Sequence, residues 1–268
     1  LKLNIMYSID GRSDLPETEL SHLSGYGGAR PVRIGNGAFD QVQLDIFGEL
    51  LDAVYLTNKY GEAISHEGWQ HVTQIVDHVC SIWQEADVGI WEMRGEKHHF
   101  LHSRLMCWVA LDRAIRLASK RSLPAPFSRW NETRQEIHTD IWENFWNAER
   151  GHFVQYKGGT ALDGSMLLMP LVRFVGAKDP AWLATLEAIE KSLVRDGMVY
   201  RYRNDDNAMD GLQGTEGAFA ACSFWYVECL ARAGQVEKAH LEFEQLLRYA
   251  NPLGLYAEEF DCYARHLG

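Results

Sequence analysis

Apolar residues recur at helical spacing through most of the 268-residue chain. Val42, Leu44, Ile46, Phe47, Leu50, Leu51 and Val54 form one stripe, and Trp69, Val72, Ile75, Val76, Val79, Ile82 and Trp83 form a second. Leu101, Leu105, Met106, Trp108, Val109, Leu111, Ala114, Ile115 and Leu117 make a third helix, so uniformly apolar that it belongs to an inner layer, and Pro124 and Pro126 mark its exit. Trp130, Ile137, Ile141, Trp142 and Phe145 line a fourth over about 128–146. Further helices are predicted over 166–174, 182–193, 218–233 and 236–249, the last two parted by Gly234 as a C-terminal stop. Residues 151–163 read as a turn, Asp163 included, in which the alternation Phe153-Val154-Gln155-Tyr156 suggests a short hairpin strand.

These eight segments fall into consecutive pairs, with short returns inside each pair and long decorated loops between pairs. That alternation suggests an all-α solenoid or an α/α toroid, whose pocket lies at the end where the long loops emerge. A tetratricopeptide array is the weaker reading, because no 34-residue signature recurs. Residues 1–36 read as a long loop or a pair of short strands, with Asp14, Glu17 and Glu19 as helix-cap acids. Residues 88–96 and 197–217 are the other prominent loops, each interrupted by glycine.

Charge and composition narrow the ligand class. The formal net charge is −11 and no Lys/Arg run occurs, which argues against nucleic acid. No apolar run is long enough to span a bilayer, and the expectation is a cytoplasmic protein with reduced cysteines at Cys80, Cys107, Cys222, Cys229 and Cys262. Nine Trp and eleven Tyr lean toward a sugar pocket, where aromatic faces stack on the C–H faces of a pyranose.

Two loop acids draw attention. Glu92 follows Trp91, and Glu258 lies two residues after Tyr256. A carboxyl against an apolar wall is suited to general acid work, whereas the bland alternative is a pair of solvated loop acids. His98 and His102 are spaced to share a helical face and, with His99, offer a zinc site or, more simply, a pocket rim or helix cap; no third ligand is evident. Asp205, Asp206 and Asp210 approach the acidic magnesium clusters of terpene cyclases, but that pattern wants its last Asp where Met209 stands. Arg201-Tyr202-Arg203 offers a guanidinium fork and Asp205 an acceptor for sugar hydroxyls. Glu216 is either a pocket acceptor or a helix N-terminal charge.

Taken in order, the stretches around Trp91-Glu92, His102 to Ala114, Tyr200 to Arg203, Glu216 to Trp225 and Leu255 to Asp261 resemble the bacterial branch of glycoside hydrolase family 15, which holds glucoamylases, glucodextranases and some trehalases. The resemblance runs through essentially the whole chain. It implies an (α/α)6 toroid and an exo-acting, inverting α-glucoside hydrolase without metal or other cofactor. By the same resemblance Glu92 is the general acid and Glu258 the general base. Arg201 and Asp205 are glucose-hydroxyl ligands, Trp91 lies in the pocket wall, and Glu216 and Glu259 complete the substrate-binding candidates. Two departures stand out. Met93 replaces the second Glu of fungal glucoamylases, which weakens starch as a substrate. The family toroid has twelve helices, so the 268 residues are expected to be part of a single catalytic domain, with the first helical pair, the last helices and an N-terminal β-sandwich lying outside them. Apolar faces left uncovered in this way would favour self-association. The rival reading is a non-catalytic helical repeat protein or an inactive remnant of the toroid.

Overall fold

The computed structural model describes residues 3–93, 95–203, 217–261, 263 and 265–267. The fold is organised by α3 (Leu101–Arg121), in which residues 101–115 are buried without a break. A helix buried all round has no solvent face, and this one is enclosed by three neighbours, with its buried polar side chains His102, Ser103, Arg104, Asp112 and Arg113 among the apolar ones. Its partners are α1 (Asp45–Tyr60), α2 (His66–Ile82) and α4 (Phe127–Phe145). Facing pairs on α1 and α3 advance together, from Asp45 with His102 to Asp52 with Arg113, so these two helices are parallel. Those on α3 and α4 advance in opposite senses: Arg104 pairs with Asp140 and Asp112 with Arg134. Trp69 near the start of α2 donates its indole N–H to Pro124 O just beyond α3, at 2.9 Å, which makes α2 antiparallel to α3 as well.

The helices begin and end where their residues dictate. Ser65 caps α2 by accepting from Gly68 N–H at 3.0 Å. At the other end, the Arg104 guanidinium donates to the carbonyls of Trp83, Gln84 and Glu85, groups that an ending helix leaves unpaired. Ser122, in the left-handed region at φ 54°, closes α3. The chain then makes a hairpin of β3 (Trp146–Asn147) and β4 (His152–Phe153), a 3-10 turn at Gly164–Leu167 running into the short α5 (Leu168–Leu171), and α6 (Pro180–Leu193), capped by Asp179. A second hairpin joins β5 (Val194–Arg195) to β6 (Met198–Val199). The last pair is α7 (Ala220–Ala233) and α8 (Val236–Leu247), parted by Gly234 at φ 93°.

Among the described residues there are thus eight α-helices, and the architecture is that of the (α/α)6 toroid. None of the described helices is long and apolar enough to cross a membrane. Near the N-terminus the chain forms a strand pair, β1 (Thr18–Glu19) with β2 (Arg33–Ile34), so the expected helix-cap acids are corrected. Glu17 instead pairs with Arg33 at 3.2 Å and accepts from Gly37 N–H at 3.1 Å. The short hairpin strand appears as β4 but ends earlier than the alternation suggested, and Tyr156 bridges Phe100 instead.

The contact of α1 with α3 is close because of one glycine. A Cβ built at Gly48 would lie 2.2 Å from the Met106 carbonyl oxygen. Alanine is ordinarily the better helix former by about 1 kcal/mol. Gly48→Ala is nevertheless expected to destabilise by about 1–3 kcal/mol, because two backbones must separate. Chemical denaturation reads this directly, and a stabilised variant would contradict the close approach.

Candidate active site

The loop bearing Glu92 joins α2 to α3. Its neck is closed by Asp87 and His98, whose backbones exchange hydrogen bonds of 3.0 and 2.9 Å. The Asp87 carboxylate accepts from Leu44 N–H at 2.8 Å and from the Ser103 hydroxyl at 2.7 Å, tying the neck to the starts of α1 and α3. Burial raises the Asp87 carboxyl above its ordinary value, and these hydrogen bonds oppose the rise. His98 therefore lies before α3 and does not share a helical face with His102, which is buried inside it; His99 contacts Arg104 at 2.7 Å. Among the described residues no group of three or more His, Cys, Asp or Glu is placed to hold a metal.

At the tip the backbone turns through two left-handed residues, Gly89 at φ 70° and Glu92 at φ 53°. A Cβ on Gly89 would meet the Phe100 ring at 3.0 Å, so glycine is required there for both conformation and space. Val88, Met93, Phe100 and Tyr202 form a small apolar cluster beneath the tip, and Glu92 itself is half-buried.

Trp91 is held edge-on. Its indole N–H lies 3.0 Å from each carboxylate oxygen of Asp163. Asp163 also accepts from Gln155 Nε2 at 2.8 Å and Ser165 N–H at 2.6 Å. Burial pushes its carboxyl up, opposed by the hydrogen bonds from Ser165, Trp91 and Gln155. The Trp91 ring meets Phe219 edge-to-face with centroids 5.4 Å apart.

Phe219 belongs to β7 (Ala218–Phe219), which pairs with β8 (Glu259–Phe260) so that Phe219 stands opposite Glu259. Glu258 sits on an exposed bend just before β8, and its carbonyl accepts from Ala220 N–H at the start of α7, at 2.9 Å. Asp261 folds the chain after β8 by accepting from Tyr263 and Arg265 N–H at 2.8 and 2.9 Å, bonds that hold its carboxyl below the usual range.

Arg201 joins the two loops. Its guanidinium lies 5.5 Å from the Trp91 ring centre and 5.2 Å from that of Phe219, and it pairs with Glu259 at 2.7 Å. Trp91, Arg201 and Glu259 are thereby brought into one cluster, and their chain neighbours Glu92 and Glu258 flank it. Arg203 turns away toward the Ser192 carbonyl at 3.4 Å. Asp205 and Glu216, with the Asp206/Asp210 cluster, fall outside the described residues. Sequence reasoning missed Asp163 and Gln155, for which the one available signal was an Asp directly before Gly164-Ser165, a capping pattern.

Residues 2–267 match the family model described as Glycosyl hydrolases family 15. A trehalase of Mycobacterium tuberculosis is 46% identical over 267 residues, which are 99% of this chain and 39% of that protein. A trehalase of Thermoplasma volcanium is 38% identical over 261 residues, 97% of this chain and 41% of its own length. The chain thus spans about two fifths of the curated relatives it matches. Among solved structures, a glycosidase in complex with glucose superposes with a TM-score of 0.70 at 21% identity, covering 89% of this chain and 64% of that one. A bacterial glucoamylase complexed with acarbose gives a TM-score of 0.67 at 15% identity, covering 82% and 37%.

Beneath the loop neck, Asp45 and His102 face each other at 3.9 Å, both buried. Burial, with the Asp87 and Glu49 charges adding to it, pushes Asp45 up to about 7, and burial pushes His102 down to about 3. An unfolded Asp titrates near about 4, so Asp45 contributes stability that is complete below that pH and is lost as pH rises through about 7. His102 runs the other way: its contribution is present above about 6.5 and lost as pH falls toward 3. Asp45→Asn removes the first dependence only. The stability of the wild type relative to this variant should therefore fall between about pH 3.5 and 7.5 in urea melts (about half a unit beyond either end of the window). A difference constant with pH would contradict the protonated Asp45.

Proposed function

The chain belongs to glycosyl hydrolases family 15, and from that premise we propose that it is part of the single catalytic domain of an exo-acting, inverting α-glucoside hydrolase with trehalose as its leading substrate. Glu92 is the general acid and protonates the glycosidic oxygen. Glu258 is the general base and activates a water on the opposite face of the sugar, which asks for a carboxyl separation of about 6.5–9.5 Å. Arg201 and Asp205 bind hydroxyls of the terminal glucose, with Glu216 and Glu259 as further acceptors, and Trp91 forms the wall beside it.

The observation that carries this reading is the Arg201 guanidinium in contact with Trp91 on one loop and Glu259 on the other. It couples two loops far apart in sequence, each with an acid next to its contact residue. Such an arrangement suits acid and base on opposite sides of one bond. Trehalose is preferred over starch on two grounds: the names of the relatives, and Met93 after the acid.

Hydrolysis of trehalose by inversion releases one β-glucose from the attacked ring and one α-glucose as the leaving group, whereas retention releases α-glucose alone. Anomer-resolved glucose release from trehalose, maltose, isomaltose and dextran, using the full-length protein, separates these outcomes. Equal initial α- and β-glucose from trehalose is expected, with Glu92→Gln and Glu258→Gln each lowering kcat by roughly 10³-fold or more. Activity surviving both substitutions would overturn the assigned roles.

A further inference from the structure

Glu92 has φ 53°, a conformation glutamate rarely adopts unless its surroundings impose it. The turn's own backbone does little to impose it. Its bonds are long, 3.4 Å from Glu92 N–H to Gly89 O and 3.3 Å from Met93 N–H to Val88 O, against about 2.9–3.0 Å for an ordinary amide bond. The holding groups are two side chains that grip the neighbours of Glu92. On one side, both oxygens of buried Asp163 take the Trp91 indole N–H. On the other, Gln41 Nε2 donates to the Met93 carbonyl at 3.2 Å. Gln43 Nε2 in turn donates to Gln41 Oε1 at 3.3 Å, which fixes the sense of the Gln41 amide.

We propose that Asp163 and Gln41 are positioning residues for the general acid: by clamping Trp91 and Met93 they set the backbone of Glu92 and so the direction of its carboxyl. The proposal rests on the acid role assigned to Glu92 above. The Trp91 indole ring bears the load on one flank because it is anchored at its nitrogen and packed along its edge on Phe219. Loss of the nitrogen anchor frees the ring to pivot on that edge contact. A displacement near 1 Å at a reacting group costs on the order of 100-fold in rate. Asp163 also serves Ser165 and Gln155, so it is the shared point between the Trp91 anchor and the turn that begins at Gly164.

The test exploits the fact that an acid matters less when the leaving group needs no proton. Full-length protein carrying Asp163→Asn, Trp91→Phe, Gln41→Leu, or Asp163→Asn with Trp91→Phe is assayed on the α-glucoside that the wild type hydrolyses and on α-glucosyl fluoride. The expected result is a fall in kcat of about 10- to 100-fold on the glucoside, with KM little changed in Asp163→Asn and Gln41→Leu, whose side chains are not in the pocket wall, and a fall at least about ten times smaller on the fluoride. The double variant should lose no more than the worse single, because both remove one contact. Melting temperature and near-ultraviolet circular dichroism identify any variant that fails to fold, and Trp91→Phe, which keeps the ring packing, carries the test on that flank. Equal losses on both substrates, or unchanged rates, would overturn the positioning role and leave the acid assignment intact. A Glu92→Gln variant that keeps full activity on the glucoside would instead remove the reading on which the proposal rests.

Discussion

The candidate site depends on the pairing of one guanidinium. Arg201 is partly buried among Trp91, Tyr202 and Phe219, and a cation withdrawn from water needs a counter-charge, which Glu259 supplies at 2.7 Å. That ion pair draws β8 toward the loop after β6, and the aromatic contacts draw the loop before α3 against β7. The loop at residues 88–96 and the β7–β8 pair also meet where the Trp91 ring packs edge-to-face on Phe219, opposite Glu259. The inner helix provides the rigid base for this arrangement. Because α3 is buried along most of its length, the loop at its N-terminus is mounted on an enclosed helix, through Asp87, Ser103 and Arg104.

Polar groups divide their labour between the two ends of α3. At the loop end, Asp87 and Arg104 satisfy helix-terminal backbone groups of α1 and α2. At the far end, Asp112 gathers Arg113, Arg116 and Arg134, and Arg113 reaches Asp52 on α1. Both ends are therefore fixed by buried charge that cannot be left unpaired without a large desolvation cost. Of the motif residues from His102 to Ala114, those with chemistry in their side chains, such as Arg104 and Asp112, serve architecture.

Much of the architecture was legible because it rests on local periodicity. The dense apolar content of α3 identified an inner helix, and Gly234 identified the break between α7 and α8. What was not legible depends on contacts across long separations. His98 and His102 have helical spacing, yet the chain at His98 is committed to a ladder with Asp87, which no local pattern reveals. Asp163 looked like part of a turn, and its role toward Trp91 spans 72 positions. Asp261 illustrates the converse: an acid inside a motif whose carboxylate closes a local turn. Trp91, Arg201 and Glu259 were legible as a set only through resemblance, because nothing in their spacing brings them together.

The central claim is that the two loop acids address one glycosidic bond from opposite sides, with Arg201 between the loops. A crystal structure of the full-length protein with a bound non-hydrolysable α-glucoside tests it most directly. The account predicts the terminal glucose against Trp91 and Arg201, with the Glu92 and Glu258 carboxyls on opposite faces of the anomeric carbon and about 6.5–9.5 Å apart. A ligand bound elsewhere, or two carboxyls near 5 Å as a retaining enzyme requires, would contradict it.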